Sequence, residues 1–231
     1  MRTIQPEGQR GSRKWIQRAV NERWTVLERP ILRAVRGGPV RWASPLATDE
    51  FAQYSGADFL ERIGHGDLGG ALNAFWPTSG PSWDALGVTP DGAVILIDAK
   101  SSLAEMCWAG PIPARQSRAR SELVLQGVAR RLGSRSGREA WCAQFYRLAT
   151  QIAHLEFLRS TGVPAWLVLV DFVGDQDLRG PRSAEAWRAA YSIAFNLLDL
   201  RHAHPLRRFI LHVNPDVSDV PPPFAGQLQF V

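Results

Sequence analysis

Lysine is almost absent from this chain. Of its 27 basic residues, Lys14 and Lys100 are lysines and the other 25 are arginines. Cysteine is as scarce. Cys107 and Cys142 are too few for a disulfide framework or a structural zinc site, and both read as small buried hydrophobes. So few cysteines suit a reducing, cytoplasmic setting. No stretch approaches the ~18 consecutive apolar residues that a membrane span needs. The basic start MRTIQPEGQRGSRKW lacks the apolar core of a secretory signal. No glycine-rich phosphate loop and no nucleophile elbow occurs. His202, His204 and His212 lack a tight metal spacing; His202 and His204 read as loop residues, and His154 as a hydrogen-bonding partner.

What is present is globular. Hydrophobic residues make up 45% of 231 residues, enough for one sizeable domain and too many for wholesale disorder. The charge is uneven. Arg115, Arg118, Arg120, Arg130, Arg131, Arg135 and Arg138 face only Glu122 and Glu139 between positions 111 and 139, an excess equal to the +5 of the whole chain. A segment of this kind attracts polyanions, and nucleic acid is the commonest. The plainer alternative is a solvated, arginine-rich helix and loop.

The pattern predicts a mobile tail over 1–10 and a helix from Ser12 to about Pro30. It then predicts a helix starting at Thr48-Asp49 with Glu50, Phe51 and Tyr54 in its first turns, and a second piece from Ser55 to Ile63. PTSGP (77–81) is a turn. Two β-type runs follow, Trp83–Val88 and Ala93–Ala99, joined by Pro90-Asp91-Gly92. Pro and Asp suit a type I turn, and Gly supplies the following left-handed residue, so the loop is a three-residue hairpin. That register pairs Thr89 with Ala93, Leu86 with Leu96, and Asp84 with Asp98. A helix over 116–132 carries Leu123, Val124, Val128, Ala129 and Leu132. Trp141, Phe145, Leu148, Ile152 and Leu155 mark an amphipathic helix. AWLVLVDFV (165–173) is a strand buried on both faces. Ser183 caps a helix bearing Trp187, Ala190, Tyr191, Ala194 and Leu198. Arg208–Val213 is a strand, VPPP (220–223) a loop and Gln227–Val231 a short edge strand. Asp171, Asp175 and Asp177 read as loop acids. The whole is an α/β fold with a mixed central β-sheet flanked by helices.

The hairpin carries the chemistry. Alternate strand residues share a face, so Asp98 and Lys100 are neighbours, and the three-residue turn brings Asp84 opposite Asp98. The strands are otherwise apolar on both faces. Leu86, Val88, Val94 and Leu96 lie on one, and Ala85, Ile95, Ile97 and Ala99 on the other. Two facing carboxylates in a buried hairpin need a cation between them, and oxygen ligands suit Mg²⁺ or Mn²⁺. A lysine beside the ion can orient or deprotonate a bound water. The competing reading is a strand-end ion pair of Asp98 with Lys100, with Asp84 near solvent.

Asp84 followed by Asp98-Ala99-Lys100 on the next strand resembles the PD-(D/E)XK nuclease superfamily, the restriction-endonuclease-like fold. The proline expected before the first Asp is replaced in Ser82-Trp83-Asp84. The wider pattern, from Trp83-Asp84-Ala85-Leu86 to Glu105, is similar to uncharacterised bacterial members. The resemblance implies an αβββαβ core over 45–172, an N-terminal tail and helix (1–44) and a C-terminal helix and strand extension (173–231), all in one domain. It also implies metal-dependent phosphodiester hydrolysis, with Asp84 and Asp98 as ligands, the Ala99 carbonyl as a third, and Lys100 as catalytic residue. A helix glutamate completes many such sites; Glu50 and Glu61 are the candidates, Glu50 preferred. Glu105, Gln144, Tyr146 and Gln151 are candidate supporting residues. Gln144, Arg147, Gln151 and His154 otherwise read as a half-exposed helix stripe. Arg115, Arg118, Arg120, Arg130 and Arg131 are the expected phosphate contacts, with DNA preferred to RNA, and Trp83 and Trp108 can stack on bases. A homodimer suits a double-strand cutter. A non-catalytic nucleic-acid or protein-binding module on the same fold is the alternative, and unrelated chemistry on an α/β sheet a remoter one.

Overall fold

The computed structural model describes residues 1–77, 80–107, 115–200 and 204–219, without the side chains of Cys107, Arg115 and Gln116. Trp108, His202, the 220–223 loop and the strand expected at 227–231 lie outside the described residues, as do Thr78 and Ser79 of the expected turn.

In chain order the elements are β1 (Arg2–Thr3), α1 (Gly11–Asn21), α2 (Thr25–Val35), β2 (Arg41–Ser44), β3 (Gln53–Tyr54), α3 (Ala57–Arg62) and α4 (Gly69–Phe75). Then come β4 (Ala85–Val88), β5 (Val94–Lys100), α5 (Leu103–Cys107), α6 (Arg115–Arg131), α7 (Tyr146–Ser160), β6 (Ala165–Asp171), α8 (Ala184–Leu197) and β7 (Ile210–Val213). Among the described residues, five strands form one mixed sheet in the order β2-β4-β5-β6-β7. β2, β4 and β5 run antiparallel, and β5, β6 and β7 parallel. Among the described residues no helix is long and apolar enough to cross a membrane.

The hairpin turn sets the register. Gly92 takes φ 85°, its N–H donates to Thr89 O at 2.9 Å, and Thr89 N donates to Ala93 O at 2.9 Å. Leu86 pairs with Leu96 and Ala85 with Ile97, as the three-residue loop requires. Alternate positions along each strand then go to different cores. Leu86, Val94, Leu96, Leu167 and Leu169 join the residues of α3, α4, α6, α7 and α8 on one face. Ala85, Ile95, Ile97, Ala99, Val168 and Val170 meet α1 and α2 on the other. β6 is buried on both faces, which explains its unbroken apolar run.

Several local expectations give way. The first residues are tied down: β1 pairs with β3, and the terminal ammonium bonds the Ser55 carbonyl and pairs with Asp58. The helix expected from Ser12 to Pro30 is two helices broken around Arg23 (φ 53°), and Pro30 lies inside α2. No helix starts at Thr48. A short 3₁₀ turn ends at Asp49, Glu50 and Phe51 adopt left-handed φ of 51° and 50°, and the chain continues as β3. The second piece is α3, whose N-cap is Gly56 and not Ser55. β2 has no counterpart in the sequence-based strands. In α6, Leu123 is 68% exposed and Leu125 is buried in its place, with Val128, Ala129 and Leu132. The helix expected around Trp141 opens with a π turn, Ala140–Gln144, before α7 begins.

Candidate active site

The site forms where β4 starts and β5 ends. The paired ladder ends at Ala85 and Ile97, and Asp84 N donates to Ile97 O at 3.0 Å, one residue off that register, so Asp84 sits just beyond the ladder beside the end of β5. Lys100 O accepts from Phe172 N at 2.8 Å. Backbone groups alternate edges along a strand, so Ala99 faces the β4 side, and its N–H donates to Asp84 Oδ2 at 2.9 Å. Its carbonyl points to that same edge.

The two carboxylates converge on a guanidinium. Arg147, in the first turn of α7, places Nη2 at 2.8 Å from Asp84 Oδ2 and at 2.8 Å from Asp98 Oδ1, and its Nε donates to Asp98 Oδ1 at 2.9 Å. Lys100 Nζ contacts Asp98 Oδ2. Gln53 Nε2 donates to Asp84 Oδ1 at 3.2 Å. Asp98 is fully buried and Lys100 nearly so. Two acids therefore meet two bases, which offsets the cost of burying charge.

Lys100 sits among further acids. Asp171, the last residue of β6, is its register partner. Burial, and then the Arg147 guanidinium, push the Lys100 ammonium down to about 8; Asp171, Asp84 and Glu105 pull the other way. Asp171 is buried, contrary to its reading as a loop acid, because it still belongs to a central strand. Its Oδ1 accepts from Tyr191 OH at 2.9 Å, and His212 Nδ1 lies 3.8 Å from its Oδ2. Burial and Asp171 raise the Tyr191 phenol well above its ordinary value, so it stays a donor. Asp175 is also buried, whereas Asp177 pairs with Lys14 at 3.0 Å.

The other candidates are placed as follows. Glu50 is 66% exposed at its side chain and pairs with Arg2 at 3.3 Å. Glu61 is exposed on α3. Neither joins Asp84 and Asp98: among the described residues no three His, Cys, Asp or Glu side chains gather as a metal group. Glu105 folds back on the start of α5, where it accepts from Ser101 N at 2.6 Å, Ser102 N at 2.9 Å and Ser12 Oγ at 2.7 Å. Gln144 is exposed and Tyr146 half-buried. Gln151 is buried one turn beyond Arg147, and its Oε1 has no hydrogen-bond partner.

The polar stripe on α7 is thus not a half-exposed face. It runs from solvent at Gln144, through the acids at Arg147, into the core at Gln151 and His154. His154 Nδ1 bonds Thr150 O at 2.8 Å, and Phe59, Phe75, Trp76 and Trp83 surround the ring. Burial pushes its imidazole down to about 4. Trp83 is fully buried, so it packs the core and offers no face to a base. Burial likewise raises the Cys142 thiol to about 11, which leaves it an inert core residue.

Part of the basic segment is neutralised internally. Arg118 and Arg138 donate to Glu122 at 3.1 and 2.9 Å, Arg131 to Glu156 at 2.7 Å, and Arg120 to Ala74 O at 3.4 Å. Arg135 N donates to Asp199 Oδ2 at 2.7 Å, while among the described residues the guanidinium groups of Arg130 and Arg135 pair with no carboxylate. With Ser136, Arg138 and Trp141 they line a cavity of about 350 Å³. The Arg115 side chain lies outside the described residues.

Sequence reasoning passed over Arg147, Gln53, Asp171, Tyr191 and His212. Arg147 left one signal, its place in the α7 stripe. The chain matches no family model, no curated protein and no solved structure.

Proposed function

We propose that the chain is a Mg²⁺- or Mn²⁺-dependent nuclease that hydrolyses phosphodiester bonds, DNA before RNA, on a restriction-endonuclease-like core. One observation carries the reading. A single nitrogen, Arg147 Nη2, lies 2.8 Å from an oxygen of both Asp84 and Asp98, so the two carboxylates already converge on one cation-sized position. The donors there are hard oxygens, which fits Mg²⁺ or Mn²⁺. The antiparallel run β2-β4-β5 followed by parallel β6 supports the αβββαβ core.

Asp84 and Asp98 would hold the ion, with the Ala99 carbonyl at the same edge. When bound, the ion supplies Lewis acidity toward a phosphate oxygen and acidifies a water. The residues of the chain do the rest. Asp98 orients the Lys100 ammonium through their direct contact. With its pKa near 8, Lys100 is partly neutral at mildly basic pH and accepts a proton from the attacking water. Arginine at that position stays charged and cannot take that role. Arg130 and Arg135 supply cations for a phosphate backbone.

A second reading, a non-catalytic nucleic-acid or protein-binding module, has one observation in its favour. Arg147 and Lys100 balance the two acids, so the network is electrically complete within the chain. Plasmid cleavage with Mn²⁺ separates the two. The nuclease reading expects nicking by the wild type and none by Lys100→Met; equal cleavage by both refutes the assigned role of Lys100.

A further inference from the structure

Arg147 is the second residue of α7 and follows closely on the π turn Ala140–Gln144, so helical backbone runs into it rather than starting there. The acids hold it there: Nη2 spans Asp84 and Asp98, and Nε adds a bond to Asp98. Asp98 is doubly engaged, since Lys100 contacts its other oxygen, and the two cations oppose each other. Arg147 also has a way out. Its side chain is 28% exposed while Asp98 is at 0%, so the guanidinium enters from the solvent side and covers the acids. A flexible stem with its head near water can swing outward without opening the core. The chain leading into α7 is a π turn, Ala140–Gln144, a feature that recurs at functional sites.

We propose that Arg147 is the resident counter-ion of the metal position. It holds Asp84 and Asp98 convergent in the metal-free protein, and it competes with the divalent ion for the same oxygens. The proposal rests on the metal-site reading above and adds a residue to it. Arg147 is a positioning residue that sets the threshold for metal binding. A guanidinium and a divalent ion cannot share one point between two carboxylates, so binding one expels the other.

The test is Mn²⁺ titration of the full chain without nucleic acid, by calorimetry or by the electron paramagnetic resonance of free Mn²⁺. Wild type, Arg147→Met and Arg147→Met/Asp84→Asn are compared. Arg147→Met is expected to bind Mn²⁺ roughly ten-fold more tightly, equivalent to ~1.4 kcal/mol. Adding Asp84→Asn is expected to abolish the gain. Equal or weaker affinity in Arg147→Met overturns the proposal and leaves the metal site standing. No Mn²⁺ binding in either protein overturns both. A wild-type measurement covers a variant that does not fold. The Arg147 Nε–H resonance, protected by Asp98, is expected to shift and exchange faster with solvent at saturating Mg²⁺; an unchanged resonance overturns the proposal.

Discussion

Lys100 and Asp171 stand side by side in register at the ends of two parallel strands, β5 and β6. Their neighbourhood sets the working range of the lysine. Burial and Arg147 bring Lys100 down to about 8 from an ordinary 10.5, and Asp171 heads the acids that resist the fall. In the metal-free chain the neutral amine therefore accumulates as pH rises through about 8. Cleavage that uses Lys100 as a base rises as pH moves to the basic side. Removing the charge in Asp171→Asn moves the midpoint to lower pH, while the amide oxygen still accepts from Tyr191. A pH–rate profile of both proteins checks the direction; a midpoint that stays put removes Asp171 from the account.

Asp98 carries more stability than Asp84. It is fully buried and touches both cations, whereas Asp84 is partly exposed. Asp98→Ala strands two charges and is expected to cost about 3–5 kcal/mol in urea unfolding. Asp84→Ala costs about 1–3 kcal/mol. Replacing Asp98, Lys100 and Arg147 together by Leu, Met and Met recovers part of the loss, since both buried cations leave with Asp98 while Asp84 loses Arg147 but keeps the bonds from Gln53 and Ala99.

His154 makes the fold acid-sensitive. Its imidazole is held down to about 4 in the folded chain against an ordinary 6.5. Between those values the unfolded chain binds the extra proton, so stability falls as pH drops from 6.5 to 4, by about 3 kcal/mol. His154→Leu keeps the volume and is expected to flatten that slope. Unfolding free energies measured across this range decide it.

Nucleic-acid affinity should divide the arginines by their partners. Arg130→Ala and Arg135→Ala remove guanidinium groups that pair with no carboxylate among the described residues, and each is expected to lower the salt dependence of DNA binding by about one charge. Arg118→Ala and Arg131→Ala remove cations already held by Glu122 and Glu156, and they change binding less. Fluorescence anisotropy over a salt series measures the slopes.

The hairpin was legible because its signals are local. Pro90-Asp91-Gly92 dictates a loop length, and loop length dictates the register from Thr89–Ala93 to Ala85–Ile97; the expected pairing of Asp84 with Asp98 lies one step past the observed ladder, and Arg147 joins their carboxylates instead. The division of Leu86, Val94 and Leu96 from Ala85, Ile95 and Ile97 followed from strand alternation alone. Arg147 was not legible, because which face of α7 meets the sheet depends on packing that one helix does not record. Asp171 was obscured by its neighbours: a polar residue at the end of an apolar run, followed by Asp175 and Asp177, looks like a loop. β2 is too short for alternation to stand out, and the left-handed pair Glu50-Phe51 overrides a plausible helix start.

The central claim is that Asp84 and Asp98 form a metal site. Anomalous diffraction from crystals of the wild-type chain grown with Mn²⁺ tests it most directly. The account predicts one manganese peak bound by both carboxylates, with the Arg147 guanidinium displaced toward solvent. Crystals in which Arg147 still bridges Asp84 and Asp98, with no peak between them, would contradict it.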